Sequence, residues 1–207
     1  MKRALRIRER LLGSASPAVA DSLNSLGAVL TEQGELAAAR PVMERALAVR
    51  ERVLEPDHPS IADTLNNLGV LLRMQGELDA ARPLMERALA IREHVLGPSH
   101  PRTANSLHSL ATLLRMQGQL AEARVVQERA LAIREQALGP DHAVTADSVH
   151  QLAILLRSLG DVHGARRLAE RAASTWLRTL GADHWRTIES GATLREILSQ
   201  VDRDGHV

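Results

Sequence analysis

Four histidines recur at a constant spacing of 42 residues, and a row of imidazoles is a side-chain pattern that suggests metal binding. They are His58, His100, His142 and His184. Metal–nitrogen bonds measure about 2.0–2.1 Å, whereas positions one repeat apart are separated by two helices, each about 10 Å wide. One ion cannot join two of these histidines. Each stands in a turn before a predicted helix, as Ser16 does before Pro17, so we predict capping or turn roles and no metal site.

Acid–base pairs are the second chemistry that the spacing suggests. Four glutamates each follow an arginine by four residues: Arg40–Glu44, Arg82–Glu86, Arg124–Glu128 and Arg166–Glu170. Side chains four apart adjoin on a helix surface, so we predict surface ion pairs rather than acid–base catalysts. The chain has no cysteine, and it carries no phosphate loop or nucleophile motif. We therefore predict no catalytic residue, no cofactor and no enzymatic activity.

The histidine spacing belongs to a 42-residue repeat that runs through the chain. Residues 59–100 and 101–142 are identical at 25 of 42 positions. Glycines recur at the same period: Gly34, Gly76, Gly118 and Gly160. Self-similarity at this period is typical of a stacked array, in which each unit buries its apolar face against its neighbours.

One repeat, residues 59–100, predicts a pair of helices. Pro59 suits the first position of a helix, and an apolar stripe with helical spacing follows: Leu65, Leu68, Gly69 and Leu72. Gly76 ends the first helix, and a second helix runs from about Leu78 to Leu96. The strip of the first helix that remains contains Asp63, Asn66, Val70 and Arg73. We expect an all-α array of antiparallel helical hairpins whose inner surface is lined by this strip.

A pattern of small residues resembles the tetratricopeptide repeat (TPR): Gly69, which follows Leu68, then Gly76, Ala81 and Ala88. The longer period and two phrases, residues 64–69 and 87–101, resemble the kinesin-light-chain type of that repeat. The resemblance implies a right-handed superhelical TPR-like α-solenoid, whose first helices line a concave groove that takes up extended peptides. The positions that match the family's groove asparagine are Asn24, Asn66, His108 and His150, and the two histidines depart from it.

In this register, residues 1–200 form a single array followed by a tail, 201–207. Residues 1–13 are a partial repeat, 17–58, 59–100, 101–142 and 143–184 are full repeats, and 185–200 form a capping helix. Met1 is in register with Met43. Two interpretations stay open: the chain is a fragment or a mis-started reading of a longer protein, or its uncapped N-terminal helix pairs with a second copy.

A column of arginines on the strip is the strongest indication of what is bound. Arg73, Arg115 and Arg157 could grip carboxylates of an acidic partner peptide. Alternatively, each is a solvated cation favoured by the end of its helix. A second column could neutralise the arginines: Asp21, Asp63, Asn105 and Asp147. His108 and His150 are the candidates for pH sensitivity, although we favour exposed, neutral groove residues. The predicted peptide-binding residues are Asn24, Asn66, Val70, Arg73, His108, Arg115, His150 and Arg157.

The composition narrows the class of partner. A formal net charge of +1 gives no general attraction to nucleic acid, and no apolar run approaches the ~20 residues of a membrane span. We expect a cytoplasmic, bacterial protein–protein interaction scaffold that binds a partner segment in the groove. The alternative is the sensor or autoinhibitory part of a larger signalling protein, such as a nucleotide-switch ATPase.

Overall fold

The computed structural model describes residues 2–204, with side chains over 5–200, and the chain divides into two compact units, Met1–Pro98 and Ser99–Val207. Unit 1 contains α1 (Lys2–Leu12), α2 (Pro17–Glu32), α3 (Leu36–Val53), α4 (Pro59–Met74) and α5 (Leu78–Leu96). Unit 2 contains α6 (Pro101–Met116), α7 (Leu120–Leu138), α8 (Ala143–Ser158), α9 (Val162–Leu180) and α10 (Trp185–Asp204). The described residues include no strand, and the predicted all-α fold is confirmed.

Each repeat forms one hairpin, because a glycine closes its first helix. Gly76 has a φ of 83° and follows the C-cap residue Gln75 of α4. Its N–H donates to the Arg73 carbonyl over 3.1 Å, and the Glu77 N–H donates to the Leu72 carbonyl over 2.9 Å. This pair of bonds is a Schellman motif, which satisfies carbonyls at the helix end and turns the chain towards α5.

The recurring histidines cap helices, as predicted. Nδ1 of His58, His100 and His142 accepts a hydrogen bond over 3.1 Å from the backbone N–H two residues later. His184 accepts the same bond from the Arg186 N–H over 3.2 Å. Ser16 occupies the N-cap position of α2 but makes no side-chain capping bond. The imidazoles therefore satisfy N–H groups that the helices leave without internal partners.

The helices of a hairpin pack closely where the first helix carries glycine. Leu65, Met85 and Ala88 are fully buried between α4 and α5. A Cβ added at Gly69 would lie 2.7 Å from Met85 Cγ, and one added at Gly27 would lie 2.5 Å from Met43 Cγ. Because Cγ lies close to the backbone, the methionine could not move aside cheaply, so the close approach requires glycine at both positions.

The last helix is longer than expected. The sequence predicted a capping helix over 185–200 and a tail from 201, but α10 continues to Asp204. Residues 201–204 contain neither glycine nor proline, and the first helix-breaking residue after them is Gly205. The rest of the predicted tail, 205–207, lies outside the described residues.

We predict that Gly69→Ala destabilises the protein. Overpacking a core costs about 1–3 kcal/mol, which outweighs the gain of about 1 kcal/mol for alanine over glycine in a helix interior. The free energy of unfolding in urea should fall by about 1 kcal/mol. The control is Gly191→Ala in α10, where an added Cβ would approach only the Arg195 guanidinium, at 3.8 Å. That variant should be as stable as the parent or more so, and a stabilised Gly69→Ala would contradict the packing account.

Candidate functional site

The first helices of neighbouring hairpins contact each other within each unit. In unit 1 α2 contacts α4, and in unit 2 α8 contacts both α6 and α10. We call the surface that these helices share the first-helix face of each unit. The predicted strip positions lie on these helices, so the first-helix faces are where the structure places the predicted site residues.

The asparagines of unit 1 form a contact that sequence reasoning did not predict. Asn67 Nδ2 donates to Asn24 Oδ1 over 3.2 Å, so Asn24 pairs with the neighbour of the predicted residue. Asn66 is half-buried, and its Oδ1 has no hydrogen-bond partner. Sequence reasoning missed Asn67, although a signal existed, because its column is polar in every full repeat: Ser25, Asn67, Ser109 and Gln151.

An apolar cleft lies beside this amide pair. It has a volume of about 140 Å³ and is lined by Ala28, Thr31, Glu32, Met43, Asn67 and Val70. The Thr31 hydroxyl donates a hydrogen bond to the Gly27 carbonyl of its own helix over 2.9 Å. The predicted residue Val70 therefore borders a recess with room for one aliphatic side chain.

The predicted arginine column is divided between the units and is partly neutralised. Arg73 is in unit 1, whereas Arg115 and Arg157 are in unit 2. Arg157 Nη1 lies 2.6 Å from Glu196 Oε2 of α10. Arg115 is half-buried and forms no ion pair with any residue that the structure describes. A three-membered ladder of available cations is therefore not what the structure presents.

The aspartates of the second column, Asp21 and Asp63, pair with arginines of the second helices and not with the strip arginines. Instead of neutralising the strip arginines, Asp21 lies 2.7 Å from Arg50 and Asp63 lies 2.8 Å from Arg92. The correction has a geometric cause: the carboxylates point towards the second helix of their own hairpin, where these arginines are buried.

The buried arginines, which sequence reasoning missed, join adjacent helices. Arg134 is 5 % exposed, and Nη2 donates to Asn105 Oδ1 of α6 over 3.1 Å. Its Nη1 donates to the Val144 carbonyl and to Ser148 Oγ of α8, over 3.1 and 2.8 Å. Arg50 makes the equivalent bonds in unit 1, to Asp21, the Ser60 carbonyl and Thr64. Their 42-residue spacing was the available signal.

The repeat is broken at the next position of this arginine series, which is Trp176. The indole is 2 % exposed, and Nε1 donates to the Ala143 carbonyl over 3.1 Å. Without a repeat arginine, Asp147 pairs instead with Arg186 of α10, whose Nε lies 3.2 Å away. Burial raises the pKa of the Asp147 carboxyl, while Arg186 and Arg134 oppose that shift.

His150 is buried beside this tryptophan, so the expectation of an exposed groove residue was wrong for it. Its side chain is 3 % exposed, and its ring centroid lies 5.2 Å from that of Trp176. Neither ring nitrogen has a hydrogen-bond partner. Burial lowers the pKa of His150 below its usual value, and Glu189 partly opposes the shift. The imidazole is therefore neutral at pH 7.

A cavity of about 180 Å³ opens next to His150 on the first-helix face of unit 2. Its ring-bearing residues are His108, His150, Trp176 and Trp185. Its other residues are Asp147, Gln151, Arg186 and Glu189. The Arg186 guanidinium carbon lies 5.0 Å from the centroid of the Trp185 ring, within the range of a cation–π contact.

Other kinds of site find no support in the described part of the chain. No group of three or more histidine, aspartate or glutamate side chains in residues 5–200 could hold a metal ion. None of the described helices combines the length and apolarity needed to cross a membrane. On α1, Ile7, Leu11 and Leu12 are exposed, and self-association through this helix stays a prediction.

Comparison with known proteins agrees with this arrangement. Residues 1–52, 19–94, 62–136 and 110–178 match a family model described as Tetratricopeptide repeat. A crystal structure of TPR-like repeats, which are nearly identical to one another, comes from a predicted kinesin light chain of Podosopora anserina. This chain is 25% identical to it in sequence, with a TM-score of 0.77 over 92% of this chain and 90% of that one. A single-residue variant of those repeats is 26% identical, with a TM-score of 0.74 over 90% and 94%. BtubC (BKLC) from P. vanneervenii shares the fold at 19% identity, with a TM-score of 0.72 over 99% and 87%. No curated protein sequence matches the chain.

We predict that Arg134→Ala destabilises the protein by about 2 kcal/mol or more, because it removes a buried cation and leaves its partners without a donor. The matched control on the same helix is Arg124→Ala, which breaks only an exposed ion pair with Glu128 and should leave the free energy of unfolding almost unchanged. Urea unfolding of both variants gives the comparison. Equal losses would show that Arg134 does not hold the hairpins together.

We predict that His150 contributes to pH-dependent stability. The folded protein keeps this buried imidazole neutral, whereas the unfolded chain takes up a proton near pH 6.5. Its contribution is therefore present above that pH and is lost as the pH falls below it. The parent should lose more stability between pH 7.5 and 5.5 than His150→Gln does. His163→Gln, at an exposed position, should follow the parent, and identical pH profiles for all three proteins would contradict the prediction.

Proposed function

Because the chain belongs to the tetratricopeptide repeat family, we propose that it is a non-catalytic protein–protein interaction scaffold. It binds a segment of a partner protein against the first-helix faces. The cysteine-free, near-neutral composition suits action in the cytoplasm, and it gives no attraction to nucleic acid. Catalysis would need an activated nucleophile or an acid–base pair in a cleft, and the sequence carries no motif for either.

The observation that supports this proposal most strongly is the position of Asn67 in unit 1. It bonds to Asn24 and also lines the apolar cleft beside Val70. The bond between the two amides leaves Asn24 Nδ2 as a donor and Asn67 Oδ1 as an acceptor. An extended peptide needs such a donor and acceptor for its backbone, and a recess for every second side chain. The cleft volume of about 140 Å³ limits that side chain to a small aliphatic one.

We also propose a contact at Arg115, on the first-helix face of unit 2. Since it forms no ion pair with a described residue, a carboxylate of the partner would complete its charge pairing. A charge-assisted hydrogen bond contributes about 1.5–3 kcal/mol. We therefore propose that the bound segment carries an acidic residue, held by Arg115 rather than by a ladder of three arginines.

Site-specific photo-crosslinking tests the proposed surface. We predict that benzoylphenylalanine in place of Val70 crosslinks to a partner protein, and that mass spectrometry maps the crosslink to one extended segment. The control is the same substitution at Val95, an exposed valine on the second helix α5 of the same unit. Equal crosslinking from both positions would contradict binding at the first-helix face.

The identified segment then tests the role of Arg115. Arg115→Glu should weaken binding of a synthetic copy of that segment roughly tenfold or more. Arg124→Glu, on the exposed surface of the second helix α7, should leave the affinity unchanged. A segment without aspartate or glutamate would refute the acidic part of the proposal and leave the binding surface itself standing.

A further inference from the structure

We propose that the cavity beside His150 in unit 2 binds one basic side chain, arginine or lysine, of the partner segment. This inference rests on the proposed function and specifies the partner's chemistry at a second point. The cavity volume of about 180 Å³ lies below the range of about 300–1,000 Å³ for pockets that enclose a drug-sized ligand. The cavity is therefore suited to a single side chain.

The charges around the cavity favour a cation over an anion. Asp147 and Arg186 neutralise each other across 3.2 Å. Glu189 remains, and it forms no ion pair with a described residue. An entering anion would meet two carboxylates and an arginine that is already paired. A basic side chain would provide the missing partner of Glu189.

His150 supplies a polar group that such a side chain would satisfy. A neutral imidazole has one acceptor nitrogen and one N–H donor. In the structure neither nitrogen has a hydrogen-bond partner, although the residue is only 3 % exposed. A guanidinium or ammonium group carries only donors, so it suits this acceptor, which is itself buried and which a small movement of the side chains around the cavity would have to expose. An apolar side chain would leave this nitrogen unsatisfied.

The exposed ring of Trp185 is the third feature that favours a cation. It is 61 % exposed, and it already receives the Arg186 guanidinium at 5.0 Å. The face of an indole ring attracts cations through its quadrupole. The positive end of α10, which begins at Trp185, would favour an anion, but His184 Nδ1 already accepts the Arg186 N–H of that helix end.

Tryptophan fluorescence tests the proposal directly, because the chain has only two tryptophans and both line this cavity. The full-length protein is titrated with N-acetyl-arginine amide and N-acetyl-lysine amide. N-acetyl-glutamine amide and N-acetyl-glutamate amide serve as neutral and anionic probes. We expect a saturable change in emission, at roughly millimolar concentrations, with the two cationic probes only. The ratio of their affinities shows which basic residue the cavity prefers.

Two variants on α10 locate the response. Glu189→Gln should weaken the cationic probes at least fivefold, whereas Glu196→Gln, whose carboxylate pairs with Arg157, should leave them unchanged. Circular dichroism confirms that both variants keep their helices. Equal responses to the neutral and cationic probes, a preference for the anion, or an unaltered response in Glu189→Gln would each overturn the proposal.

The outcome is separable from that of the proposed function. If the cationic probes fail while Val70 still crosslinks to a partner segment, only the basic-residue pocket is refuted. If neither Val70 nor any other first-helix position crosslinks while the probes still bind, the cavity is a cation site and the scaffold function is refuted.

Discussion

A buried arginine on the second helix of a hairpin is the constraint on which the stacking of the repeats depends. Burying a guanidinium costs several kcal/mol unless all its donors are satisfied. Arg50 and Arg134 offset much of that cost by bonding the first helix of their own hairpin and that of the next, although the Nε of each has no hydrogen-bond partner. Sliding one helix by a residue would break these bonds together. The arginines therefore fix the register in which the first helices adjoin, and so the arrangement of side chains on the first-helix faces.

The departure from this pattern at Trp176 explains the chemistry of unit 2. An indole offers one donor where the arginine offers five, so Asp147 turns to Arg186 and His150 packs against an aromatic ring. The buried imidazole then has no protein partner. The cavity beside these residues is lined by His150, whose nitrogens have no hydrogen-bond partner, and by Glu189, which forms no ion pair with a described residue.

Much of the fold could be predicted from the sequence, but the site could not. The 42-residue period shows which positions of the repeats are equivalent. Gly76 ends a helix and His58 caps one, and both roles depend only on the local backbone geometry. The contacts of a polar side chain depend on its direction. Asn67 rather than Asn66 faces Asn24, and Arg134 is a core residue although its type suggested the surface. The burial of His150 depends on Trp176, which is 26 residues away in the sequence and on another helix.

We propose that the cation site in unit 2 exists because Trp176 stands where the repeat has an arginine. The most direct measurement is a titration of Trp176→Arg with N-acetyl-arginine amide, followed by the fluorescence of Trp185, then the only tryptophan. The new guanidinium would take the position that Arg134 has in the preceding repeat. The buried hydroxyl of Ser190 would then be its partner, as Ser148 is the partner of Arg134. We predict a folded protein in which the cationic probe no longer alters the emission of Trp185. A folded variant with the parent's full response would contradict the account.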